Sequence, residues 1–428
     1  MVKLLHMDAD KFLFDSFRLG RKVYETGFRP KHVISIWRGG TPVGLAVDAY
    51  YKSHGVFMNH TTVGTESYVG IGRQEEVVVK GLDHVIKVIC PEDGLLILDD
   101  VYESGKTIRK IVETLEKRAR ANAPKNIMVA TLHDKPEKHV WHKLPHVFLE
   151  SYSGDVWIDY PHELADHFDK DDPEDKAIKA KDPAVWEIVR REEPFPVENV
   201  GIQMNPDRPL NEQTGSTEQT GQAVSSNRDD YYYIGARELL LDAMKLGVNV
   251  SLDTSYIPDF LIALWPGGVS VGLPVHEVFK YRQKKTGNTS HKLDHVSINT
   301  TKSHLSYRTN VIGIPYLEER INKHHNLLIV DTTFRSGRMI NDVIMKLKGV
   351  MRRNLDLKRV RVASVYYNPD DKSTWTVQPI IKRPHYYLKK VNEDVIYPQN
   401  VMRLPHPRKD LKKLSPELAH TIWGNNDT

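Results

Sequence analysis

The strongest constraint on the fold is that one order of sequence landmarks occurs twice. HVISIW at residues 32–37 is a short β-rich run that enters a turn with paired glycines, Gly39 and Gly40. An apolar-periodic stretch at 43–54 follows, and its spacing predicts a helix. DFLIALW at 259–265 does the same, with Gly267 and Gly268 before a second such stretch at 271–281. LLIL at 95–98 and LLIV at 327–330 are continuous apolar runs, the pattern of strands buried on both faces of a parallel sheet. Each opens into a polar, glycine-containing loop, then an amphipathic segment (107–118 or 339–347), then another apolar strand (127–132 or 360–366). Strands alternating with helices in this way predict an α/β doubly wound sheet, present twice.

The rest of the chain divides around these repeats. The first stretch begins at an amphipathic segment, 8–24, and gives a domain at 1–168. The second begins at 229–246 and gives a domain at 229–407. Between them, 169–228 starts as a charged, proline-containing segment with a short helix expected near 185–191. It ends in a polar run, 205–228, that cannot bury enough apolar surface to offset its ordering and reads as a flexible linker. Residues 408–428 read as a weakly ordered tail. With 428 residues, 40% hydrophobic and 27% charged, the chain has the composition of a folded globular protein. Its formal net charge of +4 is too small to predict a nucleic-acid partner. Cys90 is the single cysteine, which excludes an intramolecular disulfide and a cysteine-rich zinc site. The apolar runs are too short to span a membrane, and acids at Asp8 and Asp10 interrupt any signal-peptide core. A cytoplasmic protein is expected.

The chemically informative segment is LLILDDVYESGKTI at 95–108. A buried strand ends on two acids, Asp99 and Asp100, and a Ser-Gly-Lys-Thr turn then opens a helix. Ligands of open α/β sheets bind at the carboxyl ends of strands. A turn at a helix N-terminus offers backbone N–H groups, hydroxyls and a positive dipole end to a phosphate. Adjacent carboxylates at a dry strand end call for ribose hydroxyls or hydrated Mg²⁺ as partner. Together they suggest a sugar-phosphate ligand. A Walker A loop is excluded, because position 100 is Asp where that motif requires glycine. Taken alone, the acids read as a turn and helix cap, Lys135 as a solvated lysine and Trp157 as a packing aromatic. His60, His133, His139, His142, His146 and His162 lack metal-ligand spacing and read as structural.

The order of these features resembles the type I phosphoribosyltransferases, most closely the hypoxanthine–guanine–xanthine branch. LLILDDVYESGKT is similar to that family's motif for phosphoribosyl pyrophosphate (PRPP), and ISIWRGGTPVG at 34–44 to its pyrophosphate loop. TESY at 65–68 resembles the mobile-loop Ser-Tyr that closes over the reacting centre. ATLHDKP at 130–136 and DVWIDYPHE at 155–163 resemble its base-binding segments. The resemblance implies that Arg38, Gly39 and Gly40 hold pyrophosphate, with Mg²⁺ as cofactor on Asp99 and Asp100, which also hold the ribose hydroxyls. It implies that Glu103, Ser104, Gly105, Lys106 and Thr107 cradle the 5′-phosphate, and that Ser67 and Tyr68 close the site. Lys135, Trp157 and Ile158 would contact the base. Glu103 stands where the family usually has Asp, the group that takes the proton from the purine, and Tyr102 stands where an aliphatic residue is usual.

The second copy keeps the framework and departs at the chemical positions. In LLIVDTTFRSGRMI, Asp331 retains one acid, Thr332 replaces the other, and Arg335 occupies the base position, where it cannot accept a proton at neutral pH. Pro266 replaces the pyrophosphate-loop arginine, Asn368 replaces the lysine, and no tryptophan lies near 395–398. Asp331, Arg335, Ser336, Gly337 and Arg338 still form a candidate phosphate loop. The expected architecture is therefore two type I phosphoribosyltransferase-like domains, the second degenerate, paired within one chain, with a homodimer left open. Residues 299–310, carrying His304, Tyr307 and Arg308, are a candidate specialised binding loop. The expected activity is transfer of a phosphoribosyl group from PRPP to a 6-oxopurine or purine-like base, releasing pyrophosphate. The alternatives are a nucleotide- or PRPP-sensing regulator with vestigial catalysis, and a transferase acting on a modified base or biosynthetic intermediate.

Overall fold

The computed structural model describes residues 3–68, 76–172, 174–200, 231–288, 291–302, 309–369 and 379–424. The chain opens with β1 (Lys3–His6), α1 (Ala9–Glu25), β2 (His32–Trp37), α2 (Gly40–Ser53), β3 (Asn59–Tyr68) and β4 (Glu76–Lys80). It continues through α3 (Asp83–Val88), β5 (Gly94–Tyr102), α4 (Lys106–Ala119), β6 (Asn126–Asp134), β7 (His146–Ser151) and β8 (Val156–Asp159). The connecting segment holds α5 (Lys176–Lys181), α6 (Pro183–Val189) and β9 (Glu198–Asn199). Beyond it come β10 (Tyr231–Tyr233), α7 (Ala236–Ser251), β11 (Phe260–Trp265), α8 (Gly267–Lys285), β12 (Asp294–Lys302) and β13 (Thr309–Ile312). The last part holds α9 (Pro315–Glu318), β14 (Leu327–Phe334), α10 (Arg338–Met351), β15 (Val360–Tyr367), β16 (Tyr386–Lys390), β17 (Asp394–Ile396), α11 (Pro407–Leu414) and α12 (Pro416–Trp423).

The first sheet has the order β4-β3-β2-β5-β6-β7 and the second β13-β12-β11-β14-β15-β16-β9. Position by position the two orders correspond, with β9 added at the far edge of the second. Each sheet is parallel except for one antiparallel edge pair, β3 with β4 and β12 with β13. Each also has a satellite parallel pair, β1 with β8 and β10 with β17. The apolar runs behave as their composition requires: β2 and β11 are buried along their whole length. Helix α1 shows how sequence sets an element. Asp8 caps it by accepting from the Lys11 N–H at 2.8 Å, and Phe12, Leu13, Phe17 and Val23 form its buried stripe. Burial of each such side chain is worth about 1.5–3 kcal/mol.

The segments that follow the two sheets dock in ways the sequence did not predict. The stretch after Pro407, expected to be a loose tail, forms α11 and α12. Leu411, Leu418, Ala419 and Ile422 are buried in the same core as Phe12 and Phe17 of α1. Conversely, the charged segment after the first sheet folds onto the second. Ile178, Val185, Ile188 and Val189 share a core with Met244 and Val248 of α7 and Val278 and Tyr281 of α8. The expected helix near 185–191 is α6, and β9 pairs with β16. Each half thus sends its C-terminal arm onto the first helix of the other. Periodicity at 411–422 was readable, but a short amphipathic segment does not say which distant helix it covers. The linker at 205–228 lies outside the described residues, as do His304, Tyr307 and Arg308.

The halves meet face to face in a self-complementary way. His60 of β3 stacks on Trp265 at the end of β11, ring centroids 3.9 Å apart. Reciprocally, His295 of β12 stacks on Trp37 at the end of β2, at 4.6 Å. The Asn299 side-chain amide donates to the His60 carbonyl at 2.9 Å. These imidazoles are buried, which lowers both below the usual histidine range and keeps them neutral.

Candidate active site

The first sheet brings the ends of β2 and β5 together through the paired glycines. A Cβ on Gly39 would fall 1.7 Å from Asp100 Oδ2, and one on Gly40 would fall 2.3 Å from the Leu98 carbonyl oxygen. Only glycine therefore allows the turn after Trp37 to lie directly on Asp99 and Asp100. The next loop ends at Gly105, whose φ of 73° is left-handed. A Cβ there would also meet the Trp141 carbonyl at 2.0 Å and the Tyr102 hydroxyl at 2.4 Å. Helix α4 starts at Lys106 with a glycine, Gly105, at its N-cap position, which has no side chain to cap the first-turn amides. Lys106 is exposed, while Ser104 and Thr107 are partly buried. The Lys106 N–H reaches Ser104 Oγ at 3.4 Å.

The acids carry an excess of negative charge. The Asp99 carboxyl is pushed well above the aspartate range by burial and by Asp100 beside it. Burial raises Asp100 to about 6, against the pull of the Val101 N–H and Arg38. Glu163 is raised to about 8 by burial and by the charge of Asp100. Neighbouring carboxyls that hold protons this tightly suit an oxygen-seeking divalent cation. Among the described residues no group of three or more His, Cys, Asp or Glu is arranged to hold a metal by itself. Mg²⁺ on Asp99 and Asp100 fits that limit, because this ion commonly takes one or two carboxylates and completes its shell with water and substrate oxygens.

Arg38 lies across the opening of this site and is held from two sides. One terminal nitrogen donates to Glu277 of α8 at 2.6 Å and the other to Asp166 at 2.6 Å. Burial disfavours the charge, but the two carboxylates more than compensate and hold the guanidinium protonated. At the other end of the site, Lys135 is 2% exposed and its ammonium donates to Glu103. Lys138 donates to the same carboxylate oxygen at 3.4 Å. Burial opposes ionisation of Glu103, but Lys135 and Lys138 outweigh it and hold the carboxyl below the glutamate range. The Lys135 N–H donates to the Tyr102 carbonyl at 2.9 Å, which fixes the backbone of both.

The remaining candidates sit less directly. Trp157 lies on β8 with 47% of its surface exposed, a ring face open to a ligand. Ile158, next along the strand, points the other way and is buried with Met7 and Phe12. Its side chain packs the core and offers no contact to a base, as strand alternation requires. Ser67 and Tyr68 end the strand β3, opposite Val77 and Glu76 of β4, where a loop was expected. Their side chains lie outside the described residues. Sequence reasoning did not find Glu163, Asp166, Lys138 or Glu277. The one signal for Glu277 was a lone charged residue in the apolar stretch VGLPVHEVF.

The end of β14 repeats the scaffold with other side chains. A Cβ on Gly268 would lie 2.3 Å from the Val330 carbonyl oxygen, and Gly337 has φ 67°. Gly267, however, lies over the Thr332 hydroxyl instead of an acid. Burial raises Asp331 to about 7. Arg335 pairs with Asp394, and the Asn368 side chain donates to the Asn392 carbonyl at 3.1 Å. Ser336 Oγ lies 3.4 Å from the Arg338 N–H, as Ser104 does from that of Lys106.

No family model matches the chain. The xanthine-guanine phosphoribosyltransferase of Ruegeria sp. (strain TM1040) is 29% identical over 173 residues, which is 38% of this chain and 87% of that protein. About 38% of the chain is thus similar in sequence to a phosphoribosyltransferase. Among solved structures, a purine phosphoribosyltransferase from Pyrococcus horikoshii is 22% identical, covering 38% of this chain and 95% of its own, with a TM-score of 0.31. The xanthine-guanine-hypoxanthine phosphoribosyltransferase of Helicobacter pylori is 20% identical, covering 37% and 92%, with a TM-score of 0.30. The 173 residues matched to the Ruegeria protein are the length of one sheet with its helices, not of both. No helix among the described residues is long and apolar enough to cross a membrane.

Proposed function

We propose that the first half of the chain, residues 1–168, transfers the 5-phosphoribosyl group from PRPP to a 6-oxopurine, giving a nucleoside monophosphate and pyrophosphate. The observation that carries this reading is the seating of the Arg38-Gly39-Gly40 turn on Asp99 and Asp100, with the uncapped start of α4 one loop away. That arrangement provides for a pyrophosphate, a ribose and a 5′-phosphate in sequence along one strand end. Arg38 would counter the charge that builds on the departing pyrophosphate as the bond to the anomeric carbon breaks. Asp99 and Asp100 would hold the ribose hydroxyls and, when Mg²⁺ is bound, anchor the ion that neutralises the leaving group. Ser104, Gly105, Lys106 and Thr107 would fix the 5′-phosphate. Lys135 would donate to the 6-oxo oxygen with Trp157 stacking on the ring. Once the base draws Lys135 away, Glu103 is released to accept the ring proton.

The second half, residues 229–407, reads as a degenerate copy with a structural role. Its Arg335–Asp394 pair takes the place of the general base, and Asp331 stands without a second acid. Incubation with PRPP and Mg²⁺ against hypoxanthine, guanine, xanthine and adenine tests the reading through pyrophosphate release. Release with an oxopurine supports it. Absence of release with every base, in protein that still binds PRPP, would overturn the proposed reaction.

A further inference from the structure

Glu277 is a carboxylate of the second half that reaches Arg38 in the first half's site, and it is fully buried. Its two oxygens act on different elements. Oε1 accepts from Arg38 at 2.6 Å and from Lys280 at 3.2 Å. Oε2 accepts the backbone N–H groups of Leu164 and Ala165 at 3.3 and 3.1 Å. Those amides open the short turn that carries Asp166, the second carboxylate on Arg38. One side chain therefore grips the arginine directly and also fixes the turn that grips it from the other side. Burial works against the Glu277 charge, yet Arg38, Lys280 and His276 hold the carboxyl far below the glutamate range, so it stays ionised.

The internal repeat makes the contact informative. Glu277 lies nine residues beyond Gly268, and the matching residue, nine beyond Gly40, is Ala49. The residue matching Arg38 is Pro266. Across the approximate two-fold, the aromatic stacking of His60 on Trp265 and His295 on Trp37 is kept on both sides. The charge pair is present on one side only, and its counterpart, Ala49 with Pro266, lacks both members. A purely structural contact would have no reason to be confined to the side that carries the acids.

We infer that Glu277 is a positioning residue for Arg38, through which the second half completes the pyrophosphate site of the first. This rests on the proposed transferase reading. Arg38 has five N–H donors, of which the bonds to Glu277 and Asp166 use two, and those two bonds fix the plane of the guanidinium. Displacing the guanidinium by about 1 Å is enough to cost on the order of 10²-fold in rate.

The test combines steady-state kinetics with calorimetry of pyrophosphate binding in the presence of Mg²⁺, on the full chain. Glu277→Gln is expected to lower kcat/KM for PRPP by about 10–100-fold and leave KM for the base unchanged. Glu277→Asp, which keeps the buried charge and withdraws it by one methylene, is expected to lose part of that. In an Arg38→Ala background, Glu277→Gln should change kcat/KM by less than about twofold, because its effect passes through the arginine. Equal losses in both backgrounds, or no loss in either, would overturn the inference. If wild type turns over no base, the proposed reaction fails, and pyrophosphate affinity decides alone. Weaker binding by Glu277→Gln would uphold the positioning role. Equal binding, or none by wild type, would end it.

Discussion

At the end of β5, Asp99 and Asp100 lie under Gly40 and Gly39; burial raises both carboxyls, and the charge of Asp100 raises Asp99 further. At the end of β14, Asp331 stands beside Thr332, under Gly268 and Gly267. The backbone contact is the same in both: Gly40 over the Leu98 carbonyl and Gly268 over that of Val330, each leaving 2.3 Å for a Cβ. The comparison separates what the fold demands from what the chemistry demands. The paired glycines persist because any side chain at the second would collide with a strand's backbone. The second acid, the lysine and the arginine have no such obligation, and only the first half keeps them.

The largest expected difference between the halves is catalytic. Asp99→Asn with Asp100→Asn should reduce phosphoribosyl transfer by at least about 10³-fold, whereas Asp331→Asn should leave it within about twofold. Rates of pyrophosphate release measure both. A matching loss in Asp331→Asn would mean that the second half also turns over, and the contrast would collapse. Next, Glu103→Gln should lower kcat by about 10²-fold with little change in KM for PRPP. Arg335→Gln, at the equivalent place, should change neither.

Stability gives the third contrast, because the crossed arms predict damage in the opposite half. Leu418→Ala and Ile188→Ala should each cost about 2–5 kcal/mol. Amide hydrogen exchange should quicken in α1 for Leu418→Ala and in α7 for Ile188→Ala. Faster exchange confined to α12 or α6 would show that the arms are only loosely docked.

The smallest effect is in the pH dependence of stability. Glu163 and Asp331 have carboxyls raised to about 8 and about 7, above their unfolded values. Between roughly pH 4 and those values the folded state holds the protons that unfolding releases, so stability falls as pH rises through that window. Glu163→Gln and Asp331→Asn remove the ionisations. Each should raise the melting temperature by a few degrees near pH 8 and leave it unchanged near pH 4. A gain of the same size at both pH values would remove the titration as the cause.

Much of this was legible in the sequence because it is local. The apolar runs at 95–98 and 327–330 could only be buried strands, and the glycines at 39–40 and 105 announced backbone contacts that side chains forbid. The pairing of Lys135 with Glu103 places two candidates in one site, as their spacing around β5 and β6 allows. What escaped the sequence was long-range. Glu277 reaches Arg38 from 239 residues away, and nothing in either segment names the other. Trp157 and Ile158 were expected to contact the base together, but alternation along β8 turns their side chains to opposite faces, Trp157 outward and Ile158 into the core. The tail was misjudged because a short amphipathic helix looks unstable until its partner surface is known.

The crossed arms also impose an order of events on synthesis. Arg18 of α1 is paired with Glu417 of α12, so α1 waits for a helix synthesised 399 residues later. Until then, the stripe of α1 that Leu411, Leu418 and Ile422 will cover is open, and any holding factor in the cell would find it. A nascent chain carrying every active-site residue of the first half would still lack its closing piece. Covering of α1 is thereby tied to α11 and α12, and a chain terminated before them would be marked for clearance by the surface it leaves bare.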